Sequence, residues 1–189
     1  MLEVGAGSGE LAAALRDDGY DVVAIDPASE SPDVRAVGLA DLDEPAASFD
    51  AALAVVSLHH VEPLAESCAR LADVVRPGGR LVVDEFDVER FDERAATWWL
   101  AGREGAAHDH GGPADVLARL REHIHPVQRV VAELDEWFAL EEPVRCAYLH
   151  RWDMPPGLLA DESELIAAGS LPATGVRMVG TRRGAAPER

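Results

Sequence analysis

A glycine-rich turn near the start of the chain has the residue types that bind a nucleoside-containing cofactor. Gly5-Ala6-Gly7-Ser8-Gly9 follows the short apolar-flanked segment Leu2-Glu3-Val4 and precedes a helical pattern. Glycine lets the backbone turn sharply and lets a ligand approach without meeting a Cβ atom. The exposed N–H groups at the start of the next helix favour a polar or anionic ligand group. This turn therefore predicts a ligand-binding loop.

An aspartate supplies the second part of the predicted site. Asp26 ends the β-rich run 21–25, and Pro27 stops that strand. An acid at the tip of the second strand of a βαβ unit can accept hydrogen bonds from both ribose hydroxyls. A dinucleotide fingerprint, G-x-G-x-x-G, would require a third glycine at position 10, where this chain has Glu10. The spacing therefore argues against a nicotinamide dinucleotide.

The elements that must position these residues alternate through the first half of the chain. The pattern predicts a helix at 10–18 and another from Pro63 onward, with five strands at 2–4, 21–25, 34–39, 51–56 and 80–83. Strands separated by helical stretches predict a parallel sheet with helices on both faces. Further along, we predict helices at 89–101, 114–124, 127–138 and 158–168, and strands at 139–150 and 175–181.

The first nine residues resemble motif I of the class I S-adenosylmethionine-dependent methyltransferases. That motif is an acid, here Glu3, then a hydrophobic residue and G-x-G-x-G. The resemblance covers nearly the whole chain, through the further landmarks Ser48-Phe49-Asp50, Leu58-His59-His60-Val61, Arg76-Pro77-Gly78-Gly79 and the segment 165–180. It implies an α/β fold with a Rossmann-like, seven-stranded, mostly parallel sheet, helices on both faces and an antiparallel last strand.

The resemblance also implies S-adenosylmethionine as cofactor and a role for each matching position. The implied contacts are Gly5, Ala6 and Gly7 beneath the methionine portion, Glu3 toward its amino group, Asp26 with Pro27 at the ribose, Asp41 with Leu42 at the adenine, and Val56 with Ser57 beside the sulfonium. Asp43 is an alternative to Asp41, because the stretch from Asp41 to Ser48 is shorter than usual for the family.

Candidate catalytic bases follow the strands that end beside the implied cofactor. Methyl transfer is an in-line displacement, and a base is needed only if the accepting atom must lose a proton. His59 and His60 follow the strand at 51–56, and Asp84 with Glu85 follows the strand at 80–83. Histidine, with an ordinary pKa of about 6.5, is the better base at neutral pH. The alternative for both histidines is packing or positioning of the cofactor.

Two other histidine pairs invite a metal interpretation. His108-Asp109-His110 and His123-Ile124-His125 each bring two imidazoles close together in sequence. Residues two apart on a helix point to different sides, and no cysteine cluster accompanies either pair. We therefore predict no metal site.

Aromatic residues after the fifth predicted strand bear on the methyl acceptor. Trp98 and Trp99 lie on a predicted helix, with Phe86 and Phe91 upstream. They either pack that helix into the core or form the wall of an acceptor pocket. The second interpretation predicts a small organic acceptor with an apolar or ring portion.

Composition limits the partners of the protein. The net charge of −18 repels phosphate backbones, so nucleic acid is a poor substrate. No apolar run approaches the roughly 20 residues of a membrane helix, and no signal peptide is visible, which predicts a cytoplasmic protein. All 17 basic residues are arginine, as expected of a GC-rich bacterial genome. Cys68 and Cys146 are predicted to be reduced thiols, and the oligomeric state stays open.

We expect one domain over residues 1–182, followed by a tail at 183–189. Its parts are a cofactor-binding half at 1–85, a helical acceptor-side region at 86–138 and a strand-helix-strand unit at 139–182. The chain starts within its first predicted strand, whereas members of the resembled family carry a helix before it, so we hypothesise a truncation or a misplaced gene start. Two alternatives remain open: an NAD(P)-dependent oxidoreductase, and a methyltransferase-like binding or scaffold protein without catalysis.

Overall fold

The computed structural model describes residues 1–103 and 111–184. Its helices are α1 (Glu10–Asp17), α2 (Leu64–Val74), α3 (Glu93–Gly102), α4 (Pro113–His123), α5 (Val127–Asp135) and α6 (Leu159–Ala167). Its strands are β1 (Leu2–Val4), β2 (Val23–Ile25), β3 (Phe49–Val55), β4 (Val75–Phe86), β5 (Phe138–Leu140), β6 (Val144–Cys146) and β7 (Gly175–Arg182). Short 3-10 turns lie at Leu39–Asp41, Leu58–His60 and Leu149–Arg151.

The strands form one seven-stranded sheet in the order β2-β1-β3-β4-β7-β5, with β6 also paired to β7. The pairs β1–β2, β1–β3 and β3–β4 are parallel, and β7 runs antiparallel to β4, β5 and β6. This arrangement confirms the expected Rossmann-like fold with an antiparallel last strand. It also brings the carboxyl ends of β1, β2, β3 and β4 to one edge, where open α/β sheets bind ligands.

Two predicted strands were wrong in detail. The predicted strand at 34–39 contributes only a single parallel bridge between Ile25 and Arg35, because the amide of Val37 turns back to the carbonyl of Arg35 and ends the ladder. The predicted strand at 139–150 divides into β5 and β6. Pro143 lies between them and has no N–H to donate to a neighbouring strand.

One face of the sheet packs against α2 and α5. Leu64, Cys68 and Leu71 lie on one side of α2 and are at most 1% exposed. They join strand residues such as Leu81 and Val83 in the largest apolar cluster. Burying each leucine contributes about 2 kcal/mol. Helix α1 lies on the opposite face, where its Ala12 packs in a smaller cluster with residues of the β2 region.

A second apolar cluster is rich in aromatic side chains and lies beneath α3 and α4. Trp99 is 1% exposed, stacks on Trp152 with 4.2 Å between ring centroids and donates its indole N–H to the carbonyl of Trp152 at 2.8 Å. Trp98 is only partly buried against the same cluster. Core packing therefore accounts for Trp99, and Val56 connects this cluster to the carboxyl end of β3.

Within the two described ranges, we find no helix with the length and apolar character needed to cross a lipid bilayer.

Candidate functional site

The glycine turn is fixed between the ends of three strands. The amides of Gly5 and Ala6 both donate to the carbonyl of Ile25, at 2.9 and 3.0 Å. Gly5 has a φ of 71°, and a Cβ at this position would lie 2.2 Å from the Cβ of Ser57. Both the left-handed backbone and the close approach of Ser57 therefore require glycine.

Asp26 holds the same turn from the second strand. Its Oδ2 accepts a hydrogen bond from the amide of Gly7 at 3.0 Å, and its Oδ1 accepts one from the amide of Ala28 at 2.8 Å. A carboxylate has about four acceptor positions. The half-exposed Asp26 therefore keeps capacity to accept hydrogen bonds from a diol while it fixes the loop.

A cavity of about 450 Å³ opens where these elements meet, within the range of small-molecule sites. Six of the sequence-predicted site residues line it: Gly5, Asp26, Pro27, Val56, Ser57 and His60. The other lining residues are Val4, Ile25, Ala28, Val37, Gly38, Leu39, Val61 and Glu62. Most of these side chains are aliphatic, and a few polar groups lie among them. A nucleoside requires this mixture, since its ring packs and its ribose hydrogen-bonds.

Other predicted positions lie around the cavity rather than in its wall. Ala6 and Gly7 continue the turn, and Gly7 borders a shallower recess on its outer side. Asp41 is exposed on a 3-10 turn, and its Oδ2 is 3.9 Å from the place a Cβ of Gly38 would take. Leu42 is 3% exposed and packs in the main core. Asp41 therefore lies near the rim, while the Leu42 side chain faces the core.

Glu3 is a buried acid beside the turn. It is 4% exposed, and its Oε2 has no hydrogen-bond partner among the described residues. Burial raises the pKa of Glu3, opposed by the positive charge of Arg16 and the backbone N–H of Ala12. A buried carboxylate oxygen without a hydrogen-bond partner is costly. A ligand that brings an ammonium group to this loop would reduce that cost, so Glu3 and the turn fit an amino-acid portion of a cofactor.

The segment after β3 is held by two consecutive residues of β4. Val56 has a φ of 53°, and its amide donates to the carbonyl of Asp84 at 2.7 Å. Glu85 is fully buried, and its Oε1 accepts from the amides of Ser57 and Leu58 at 3.1 and 2.7 Å. The Glu85 carboxylate therefore organises the cavity wall.

Neither acid after the fifth predicted strand lines the cavity. Glu85 also binds Nδ1 of His59 through its Oε2, so both of its oxygens are engaged. Asp84 Oδ2 accepts hydrogen bonds from Arg151 at 3.2 Å and Arg177 at 2.8 Å. The other oxygen of Asp84, Oδ1, is buried and has no hydrogen-bond partner among the described residues. The sequence shows both acids at a strand end, but it does not show that neither reaches the cavity.

The two adjacent histidines differ in what they can reach. His59 is 4% exposed and is held by Glu85, whereas His60 is exposed and lines the cavity. Their ring centroids are 4.2 Å apart. Desolvation lowers the pKa of His60, His59 and His125 lower it further, and Glu85 opposes the shift. Of the two, His60 is the imidazole that faces the cavity, and its lowered pKa favours the neutral form.

Of the two histidine pairs considered for a metal, His123 and His125 have other partners. Nδ1 of His123 donates to the carbonyl of Arg119 at 2.6 Å, and Nε2 of His125 lies 3.1 Å from the carbonyl of Val61. Among residues 1–103 and 111–184, no group of three or more potential ligands is arranged to hold a metal ion. The pair at 108–110 lies outside the described residues.

Comparison with known proteins agrees with this geometry. A family described as "Methyltransferase domain" matches residues 1–137. An uncharacterised methyltransferase of Mycobacterium tuberculosis is 39% identical in an alignment of 93 residues that covers 43% of this chain and 37% of that protein. The chain thus aligns with little more than a third of the length of that relative.

Solved structures share the fold across nearly the whole chain. An S-adenosylmethionine-dependent methyltransferase from Mesorhizobium loti has a TM-score of 0.62 and 19% identity, covering 96% of this chain and 90% of its own. A 1,6-didemethyltoxoflavin-N1-methyltransferase from Burkholderia thailandensis, solved with 1,6-didemethyltoxoflavin and S-adenosylhomocysteine, has a TM-score of 0.57 and 18% identity, covering 97% and 70%. At these identities the likeness is one of fold.

Proposed function

The chain belongs to the methyltransferase domain family, and from that premise we propose that it transfers the methyl group of S-adenosylmethionine to a small organic acceptor. One observation carries the proposal. The cavity forms where the glycine turn, Asp26 and the segment Val56–His60 meet, at the carboxyl ends of β1, β2 and β3. A methyltransferase structure of the same fold that contains S-adenosylhomocysteine and 1,6-didemethyltoxoflavin supports both the cofactor and the class of acceptor.

The proposed cofactor contacts follow from the chemistry of the site. Asp26 accepts hydrogen bonds from the ribose hydroxyls, and Glu3 compensates the charge of the amino group. Gly5 lets the methionine portion approach the backbone. The adenine packs among the aliphatic lining residues Leu39 and Val61. Asp41 stays a proposed partner of the adenine amine from the rim.

The proposed reaction needs few residues of the protein. When bound, S-adenosylmethionine supplies an electrophilic methyl carbon, whose bond to sulfur breaks as its bond to the acceptor forms, and S-adenosylhomocysteine leaves. The chain positions the two reactants, and alignment supplies much of the acceleration. If the accepting oxygen or nitrogen carries a proton, the neutral imidazole of His60 takes it at a ring nitrogen. Val56 and Ser57 border the cavity beside the reacting groups.

Calorimetric titration with S-adenosylmethionine and S-adenosylhomocysteine tests the cofactor, with NAD as a negative control. We expect micromolar binding of both sulfur ligands and at least tenfold weaker binding in Asp26→Asn, because each lost hydrogen bond to a charged group is worth about 1.5–3 kcal/mol. Asp33→Asn, at an exposed aspartate after β2, is the matched control and keeps full affinity. Absence of binding by the unmodified chain would overturn the proposed function.

The proposed base is tested separately from the cofactor. His60→Gln should retain affinity for S-adenosylhomocysteine and lower the rate of transfer to an acceptor that must lose a proton by about 100-fold. Transfer to a thiolate or another acceptor without a proton should be nearly unaffected. Equal loss with both kinds of acceptor would mean that His60 only positions ligands.

A further inference from the structure

A second cavity of about 310 Å³ lies beside the first and shares two of its wall residues, His60 and Glu62. The rest of its wall comes from His59 and from the end of α4, the start of α5 and the loop between them, at 121–126 and Arg129. Because one imidazole borders both cavities, a molecule in the second cavity can contact His60 and extend toward the cofactor pocket.

The charges in this wall differ from those of the whole protein. The chain has 35 acidic residues and 17 arginines. The nitrogen-bearing side chains in the wall are two arginines and four histidines: Arg121, Arg129, His59, His60, His123 and His125. The carboxylates in the same wall are Glu62 and Glu122, and Glu62 Oε1 is already 3.0 Å from Nε2 of His125. The wall of this cavity therefore carries more side chains that can donate hydrogen bonds than carboxylates, within a strongly acidic protein.

A buried histidine orients one of the arginines. The amide of His125 donates to the carbonyl of His59 at 2.8 Å, and its Nε2 lies 3.1 Å from the carbonyl of Val61. Nε2 therefore carries the proton, and Nδ1 is left to accept from Nη1 of Arg129 at 3.2 Å. A guanidinium has five N–H donors, and this contact uses one. The others can bind a ligand in a fixed orientation.

We infer that the second cavity binds an oxyanion of the methyl acceptor, a carboxylate or a phosphate, through the guanidinium groups of Arg121 and Arg129. This inference rests on the proposed function, since it names the class of acceptor. Guanidinium matches the planar geometry of both oxyanions and can bind either with two parallel hydrogen bonds. The anionic end lies at the mouth formed by α4 and α5, and the accepting atom lies toward His60 at the shared wall.

Histidine side-chain NMR of the full chain, saturated with S-adenosylhomocysteine, tests this site with inorganic phosphate and with acetate as probes. We expect saturable shifts of His60, His123 and His125 in the millimolar range, with His150, which is bound to Glu162 elsewhere in the fold, unchanged. The double variant Arg121→Gln/Arg129→Gln should weaken the tighter probe at least tenfold. Arg76→Gln is the control, because Arg76 is an exposed arginine at the opposite end of β4.

If phosphate binds more tightly, the acceptor belongs to the phosphate class, and if acetate binds more tightly, it belongs to the carboxylate class. Either result supports the site. Shifts that do not saturate, or that are equal in the double variant and in Arg76→Gln, would overturn it. The readout does not depend on the cofactor: repeating the titration without S-adenosylhomocysteine reports on the cavity even if calorimetry finds no cofactor binding. Failure of the anion site and failure of the proposed function are therefore distinguishable.

Discussion

Two short 3-10 turns in this protein, Leu58–His60 and Leu149–Arg151, are each tied to a buried glutamate from another element. The residue before each turn has nearly the same backbone conformation, with φ and ψ of −132° and −39° in the first and −140° and −40° in the second. Glu85 accepts from two backbone amides and one imidazole in the first turn. Glu162 accepts from three backbone amides and one imidazole in the second.

The two turns differ in what surrounds them. The first follows the parallel strand β3, touches Gly5 of the glycine turn and lines the proposed cofactor cavity. The second follows β6, in the antiparallel part of the sheet, and packs on the aromatic cluster. The same local chemistry therefore makes both turns rigid, and only the position at the carboxyl edge of the parallel strands places one of them at a site.

Two glycines with left-handed backbones, Gly5 against the first turn and Gly157 downstream of the second, should show the largest difference. Gly5→Ala places a Cβ 2.2 Å from that of Ser57, in a left-handed conformation, and should cost about 3 kcal/mol and abolish cofactor binding. Gly157→Ala, after the second turn, has a φ of 96° with no heavy atom within 4 Å of its new Cβ, and should cost about 1 kcal/mol. Urea unfolding and calorimetry measure both. Equal costs would mean that the contact with Ser57 carries no strain.

The two glutamates should behave alike in stability and differently in binding. Glu85→Gln and Glu162→Gln each replace one acceptor oxygen by a donor that faces other donors, so each should cost about 2 kcal/mol. Only Glu85→Gln should also weaken S-adenosylhomocysteine binding, by tenfold or more, because only the first turn lines the cavity. If Glu162→Gln weakened binding as much, general destabilisation would explain the result, and the contrast between the turns would be lost.

Sequence reasoning predicted the glycine turn and Asp26 because their contacts follow from one βαβ unit, in which local spacing determines the geometry. It predicted the class of fold for the same reason. The two glutamate contacts were missed, since Glu85 is separated from its turn by a helix and a strand, and nothing in the local pattern shows that its carboxylate is fully buried. Its position after a predicted strand identified Glu85 as a candidate base. The sequence did not show that Glu85 is the group that holds His59.

The residue before each turn offers a smaller contrast. The hydroxyl of Ser57 donates to the carbonyl of Val4 at 2.8 Å in a buried setting, so Ser57→Ala should cost about 1 kcal/mol. Tyr148→Phe keeps the stack on Phe86, with 4.9 Å between centroids, and removes a hydroxyl whose pKa is raised by burial. Its cost should be below about 0.5 kcal/mol. Thermal unfolding of the two variants compares them, and a larger loss in Tyr148→Phe would reverse the expected order.

The last residue of each turn should give the smallest effect, and it depends on pH. Desolvation lowers the pKa of His60 below its ordinary value of 6.5, whereas the second turn ends in Arg151, which stays charged. Below pH 6.5 the unfolded chain binds a proton at His60 more readily than the folded chain does. The free energy of unfolding therefore falls as the pH drops from 6.5 through the lowered pKa. His60→Gln should reduce this fall, measured by urea unfolding at pH 7 and pH 5, and His123→Gln controls for the loss of one histidine. If His60→Gln left the pH dependence of the unfolding free energy unchanged, His60 would be as well hydrated in the folded, ligand-free protein as in the unfolded chain. Its pKa would then not be lowered by the fold.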